Sequence, residues 1–118
     1  MKTINRFLKS FSYAFQGLVY TIKTQGNFQF HLFAATIVAL FALFVQVSKT
    51  EWLVLILCIG LVLFAELVNT ALEALVDLVS PEINPLAKIV KDAAAAAVLI
   101  LAIAAAIIGF IIFLPYFL

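Results

Sequence analysis

An all-α membrane protein, with three transmembrane helices behind an N-terminal amphipathic surface helix, is the fold this sequence predicts, and three observations carry it. Of the 118 residues, 67% are hydrophobic and only 11% charged, giving a mean hydropathy of +1.26. A water-soluble chain this short cannot hide so much apolar surface, whereas lipid solvates it directly. Three apolar runs each reach the length of about 20 residues that a helix needs to cross a bilayer. Ahead of them lies a segment with helical periodicity and cations along one face. The whole chain, residues 1–118, is expected to form a single membrane-embedded domain.

The first element is expected over about residues 2–24. Ile4, Phe7, Leu8, Phe11, Phe15, Leu18, Val19 and Ile22 recur at the spacing of a one-sided helix, and Arg6, Lys9, Tyr13, Gln16 and Lys23 occupy the other side. A basic, aromatic-rich helix of this kind lies in the membrane interface with its Phe side chains down. No short apolar core with a small-residue cleavage site follows the basic start, so these residues read as part of the mature protein.

Gly26-Asn27 reads as a turn, and the first span is expected over about residues 28–47. Gln29 and His31 fall near its start, and a lone histidine at that depth reads as hydrogen-bonded and structural. Ser48 and Glu51 have the spacing of a capping box and open the second span, about 52–78, where Trp52 is placed as an interfacial anchor. Ser80-Pro81 and Asn84-Pro85 each pair a capping residue with proline at a first helical position. The third span is therefore expected over about 86–114, ending near Pro115-Tyr116. Its alanine clusters, 93–97 and 104–106, allow helices to approach closely within or between subunits.

Charge sets the orientation. Lys2, Arg6, Lys9, Lys23, Lys88 and Lys91 flank one side of the spans and Lys49 alone the other. The richer side is expected to be cytoplasmic, which puts the N-terminus and the second connection at the inner leaflet. The same cations are too dispersed to bind a nucleic-acid backbone, so no nucleic-acid role is expected. The single cysteine, Cys58, lies within an apolar run and permits no internal disulfide.

The dense patch of chemistry is Glu66-x-x-Asn69-x-x-x-Glu73-x-x-x-Asp77, which holds three of the six acidic residues. At roughly 100° per residue these four side chains share one narrow stripe. Carboxylates in so apolar a segment face a polar cavity, a partner charge or a metal, or form a polar seam between packed helices. With Lys91 and Asp92 at the mouth of the third span, the set suits phosphoryl transfer. Carboxylates hold Mg²⁺, lysine meets phosphate oxygens, and one carboxylate accepts a hydroxyl proton. A channel is disfavoured, because Thr36 alone offers a hydroxyl within 32–45 and 93–114 has no polar residue. Neither a Walker A loop nor a glycine-rich kinase loop is present.

The stripe, followed by Pro81-Glu82, Pro85-Leu86-Ala87-Lys88 and Lys91-Asp92 with its alanine run, closely resembles the small bacterial integral-membrane diacylglycerol kinase and undecaprenol kinase family. The resemblance covers nearly the whole chain, including Arg6, Tyr13 and Gly17. It implies an ATP-dependent, Mg²⁺-using lipid kinase of the bacterial inner membrane, a homotrimer whose active sites are shared between subunits. Carried onto matching positions, it makes Glu66 the catalytic base, Asn69 an orienting neighbour and Glu73 a metal ligand. Arg6, Tyr13, Asp77, Glu82, Asn84, Lys91 and Asp92 match the nucleotide-contacting set, although the family often has histidine at the position of Asn84. A second metal-binding glutamate is usual where this chain has Gln25, whose neutral carbonyl oxygen implies weaker metal affinity.

The Pro-Glu-x-x-Pro-Leu-Ala-Lys pattern, His31 and Glu51-Trp52 look more like the undecaprenol kinase branch, so undecaprenol is the expected acceptor and diacylglycerol the alternative. From a different class, Gln25 and the alanine-rich third span admit a non-catalytic membrane scaffold or a small ion-conducting oligomer.

Overall fold

A computed structural model describes residues 2–118, which form four helices: α1 Lys2–Thr24, α2 Gly26–Val45, α3 Lys49–Val79 and α4 Pro85–Phe117. No strand occurs among the described residues. By length and composition α2, α3 and α4 can each cross a membrane. The apolar side chains of α1, from Ile4 and Phe7 to Phe15, are exposed, as expected of a helix whose partner is lipid.

The sequence expectation of a Gly-Asn turn is corrected here. The break falls one residue earlier, at Gln25, whose backbone is extended (φ −110°, ψ 108°), and Gly26 already begins α2. No glycine adopts positive φ among the described residues, so the break does not depend on glycine's freedom. Hydrogen bonds close around it instead. The Gln25 N–H donates to the Thr21 carbonyl at 2.9 Å, and the Gln29 side chain reaches back to donate to the Ile22 carbonyl at 2.7 Å. That second bond satisfies a carbonyl that the end of α1 would otherwise leave without a partner.

α2 ends where Gln46 turns left-handed (φ 59°, ψ 57°). Ser48 then caps α3 reciprocally: its hydroxyl accepts from the Glu51 N–H at 3.2 Å, and Glu51 Oε1 accepts from the Ser48 N–H at 2.9 Å. The same Oε1 accepts from the Tyr116 hydroxyl, tying the last turn of α4 to the first turn of α3. Beneath this knot Ala42, Val47 and Leu55 form a small buried cluster, with Val38, Trp52, Ile112 and Phe113 packed against it. Trp52 thus packs inward onto this cluster and is half-buried.

At the opposite end Asn84 caps α4, its Oδ1 accepting from the Leu86 N–H at 2.8 Å, with Pro85 in the first helical turn. The helix does not stop before Pro115, as the sequence suggested, but runs through it to Phe117. Pro115 removes one ladder bond close to a helix end, where few carbonyls depend on it. The stacking of Phe117 on Phe41, with ring centroids 5.4 Å apart, and the Tyr116–Glu51 bond hold that last turn in place. α3 is the element the others pack around. It carries the buried side chains Leu55, Val62, Ala65, Glu66, Asn69 and Thr70, whereas α4 buries only Val98.

Candidate active site

α3 presents the acidic stripe, and the structure divides it between two neighbours. Glu66 is 3% exposed and turns toward α2, where its Oε1 lies 3.3 Å from His31 Nε2. One helical turn on, the buried Asn69 donates from Nδ2 to Glu73 Oε1 at 3.3 Å, an i,i+4 contact that aligns the two side chains along the helix. Asp77, at the exposed end, turns toward α4, where its Oδ1 accepts from Lys91 Nζ at 2.7 Å. A helix offers one face, but its neighbours sit on either side of that face, so the stripe divides by depth.

Two unmet demands remain in the buried part. Asn69 Oδ1 is buried and has no hydrogen-bond partner within the described residues, which is costly for an amide oxygen shielded from water. The buried Glu66 carboxylate has His31 as its one ionisable neighbour in close contact among the described residues, and it accepts no side-chain hydrogen bond there. Its backbone carbonyl accepts from Thr70 Oγ1 at 2.9 Å, so the helix itself is closed at this point. A carboxylate taken out of water needs donors around it, and the two oxygens of Glu66 have capacity for more than one.

Beyond Asp77 the connection between α3 and α4 borders an open cavity of about 300 Å³, lined by the charged and polar side chains of Asp77, Glu82, Asn84, Lys88, Lys91 and Asp92 among others. It gathers five of the seven residues matched to nucleotide contacts. Arg6 and Tyr13 are not among its lining; both are exposed on α1. Inside the cavity Lys88 pairs with Asp92 one turn along α4, and Lys91 pairs with Asp77 across the helices. Ion pairs this exposed contribute little to stability, so either lysine can exchange its carboxylate for a stronger anion at small cost. Asn84 is less free, because its carbonyl oxygen is committed to the cap of α4. Gln25, at the α1–α2 break, donates from Nε2 to Thr24 Oγ1 at 3.3 Å, which leaves its carbonyl oxygen as the group it offers.

A second cavity, of about 540 Å³, is almost wholly apolar and runs between α2, α3 and α4, from Phe30 and His31 at one end to Phe117 at the other. Composition alone did not reveal it. The one group that sequence reasoning placed but did not connect is His31. Its signal was its depth, since it starts the first span on the same side as the deepest carboxylate of the second.

Three helices able to cross a membrane, a buried carboxylate behind a histidine that lines an apolar cavity, and a lysine-bearing cavity at one end define a helical membrane protein with a phosphate-compatible site. The family described as prokaryotic diacylglycerol kinase matches residues 12–113, and the chain belongs to that family. It is a membrane lipid kinase, and kinase chemistry makes ATP its co-substrate. Among its relatives, the undecaprenol kinase of Bacillus subtilis (strain 168) is 47% identical over 112 residues, covering 95% of this chain and 91% of that one. A diacylglycerol kinase of Synechocystis sp. is 46% identical over 109 residues, and the match covers 92% of this chain but 62% of the relative. The diacylglycerol kinase of Escherichia coli (strain K12) is 30% identical over 112 residues, covering 95% and 92%.

Proposed function

We propose that the protein transfers the γ-phosphoryl group of Mg-ATP to the primary hydroxyl of undecaprenol, at the cytoplasmic face of a bacterial inner membrane. The observation that carries the reaction type is the juxtaposition of depths along α3. A buried carboxylate, Glu66, lies behind His31, which lines membrane-level apolar space, and the same helix ends at a cavity that the lysines of α4 line. A lipid hydroxyl and a nucleotide can each reach α3 from its own phase. Support for the acceptor is the likeness to a relative named undecaprenol kinase along nearly the full length of both chains. Diacylglycerol is the second reading, supported by the family's description and by the Synechocystis relative.

In this reaction Glu66 takes the proton of the acceptor hydroxyl as its oxygen bonds to the γ-phosphorus. The bond from that phosphorus to the β,γ-bridging oxygen breaks, and ADP leaves. Asn69 holds Glu73 in register one turn away. Lys91, released from Asp77, meets phosphate oxygens, and Arg6 and Tyr13 would contact the nucleotide from the surface helix. Asp77, Glu82, Asn84 and Asp92 line the space that the nucleotide occupies.

The oxygens on α3 suit Mg²⁺, a hard cation that takes one or two carboxylates and completes its shell with water and phosphate. Glu73 would hold it, with the unpartnered Asn69 Oδ1 as a neutral second oxygen and Gln25 as a weaker one. When bound, the ion neutralises charge on the transferred phosphoryl group. In a homotrimer, neighbouring subunits would complete each site.

The deciding experiment incubates the purified protein in lipid micelles with γ-labelled ATP and either undecaprenol or diacylglycerol. Label is expected in undecaprenol with kcat/KM at least about 10-fold above diacylglycerol, a difference of roughly 1.4 kcal/mol at the transition state. The reverse preference replaces the acceptor, and labelling of neither lipid overturns the reaction.

A further inference from the structure

We infer that His31 is a positioning residue for Glu66, holding one carboxylate oxygen so that the other faces the acceptor hydroxyl. The inference rests on the kinase reading above and adds to it a residue that the matched motif does not contain. Its first basis is geometric. His31 Nε2 lies 3.3 Å from Glu66 Oε1, between helices that meet at this depth, and the two side chains are 18% and 4% exposed. Oε1 is thereby the carboxylate oxygen nearest the imidazole, and in the proposed role Oε2 takes the substrate proton.

The second basis is access. The apolar cavity between α2, α3 and α4 is lined at this end by Phe30 and His31, and Glu66 is not part of its wall. An alcohol whose tail lies in that cavity therefore meets the imidazole beside the carboxylate. Phe30 packs against the imidazole edge-on, ring centroids 5.6 Å apart and planes at 74°, which restrains its rotation about the Glu66 contact. A side chain able to swing would give the carboxylate several orientations and dilute the reactive one.

The experiment compares His31→Leu, His31→Gln and His31→Asn in the full-length protein, with initial rates of lipid phosphorylation and ATP affinity measured for each. Glutamine places its terminal N–H₂ at about the reach of Nε2, and asparagine, one methylene shorter, does not. Loss of a hydrogen bond to a charged group is worth about 10- to 100-fold. His31→Leu and His31→Asn are expected to lower kcat by that factor with the KM for ATP within about 2-fold, and His31→Gln to recover most of the rate.

A cycle with Glu66→Gln gives the second readout. If His31 acts through Glu66, His31→Leu removes nothing further from the residual rate of that variant. Full kcat in His31→Leu overturns the inference, as does a Gln variant no better than the Asn variant or an undiminished effect of His31→Leu in the Glu66→Gln background. Should His31→Leu fail to fold, the Gln and Asn pair decides alone. Absence of lipid phosphorylation by the unmodified protein would instead fell the kinase reading, so the two failures are distinct.

Discussion

The two ends of the helix bundle handle their polar groups in opposite ways. At the end where α2 meets α3, Glu51 accepts from Ser48 and Tyr116, Ser48 accepts in return, and a small apolar cluster lies directly beneath. At the other end, among the described residues, Asn69 Oδ1 is buried without a partner, Glu66 has one close ionisable neighbour, and the lysines of α4 rest on exposed carboxylates. One end is closed by its own side chains. The other holds acceptors and donors whose best partners lie outside the chain, which is the arrangement a binding site requires and a structural junction avoids.

That contrast can be broken most severely at Glu66. Glu66→Gln keeps the shape and removes the carboxylate proposed as the base, so lipid phosphorylation is expected to fall by about 10²- to 10⁴-fold, with ATP affinity within about 2-fold of the starting value. Rates with labelled ATP and direct nucleotide titration separate the two effects.

Lys91→Ala comes next. It is expected to raise the KM for ATP by about 10- to 100-fold, the worth of a charged hydrogen bond to phosphate. Because its pair with Asp77 is exposed, thermal unfolding in micelles should change little. A large loss of stability with an unchanged KM would move Lys91 to the structural side of the comparison.

Gln25→Glu sharpens the open end by adding a charge. The Mg²⁺ concentration needed for half-maximal rate is expected to fall by about 3- to 10-fold, since affinity for such cations follows ligand charge. A metal titration at saturating ATP measures it.

The smallest effect belongs to the closed end. Ser48→Ala removes one cap and is expected to cost about 1 kcal/mol of stability, leaving kcat and both KM values unchanged. A melting curve beside a kinase assay tests both halves of that statement.

Much of the fold was legible because its determinants are local. Apolar runs long enough to cross a bilayer, the Ser48–Glu51 spacing and the Asn84-Pro85 pair each act over a few residues, and the helices begin where those signals lie. Pro115 misled because its effect depends on what else holds the turn; here Phe41 and Glu51, distant in sequence, do so. The break at Gln25 was displaced from Gly26 for a related reason, the Gln29 side chain satisfying a carbonyl that propensity alone leaves out of account. Periodicity predicted that Glu66, Asn69, Glu73 and Asp77 share a face. Which neighbour each one meets depends on how α2 and α4 flank α3, and no spacing within α3 encodes that. His31 and Glu66 were both visible, but their contact is a property of two helices packed at one depth.

The one-residue break at Gln25 carries a mechanical consequence. A linker this short has no slack, and the Gln29 to Ile22 bond ties its two sides together. The surface helix therefore cannot rise, sink or tilt without turning the first coils of α2, where His31 sits two residues beyond Gln29. The depth at which α1 rides in the headgroups becomes a lever on the contact between His31 and Glu66. Under the proposed role of Glu66, bilayer thickness would be felt through this short arm at the carboxylate.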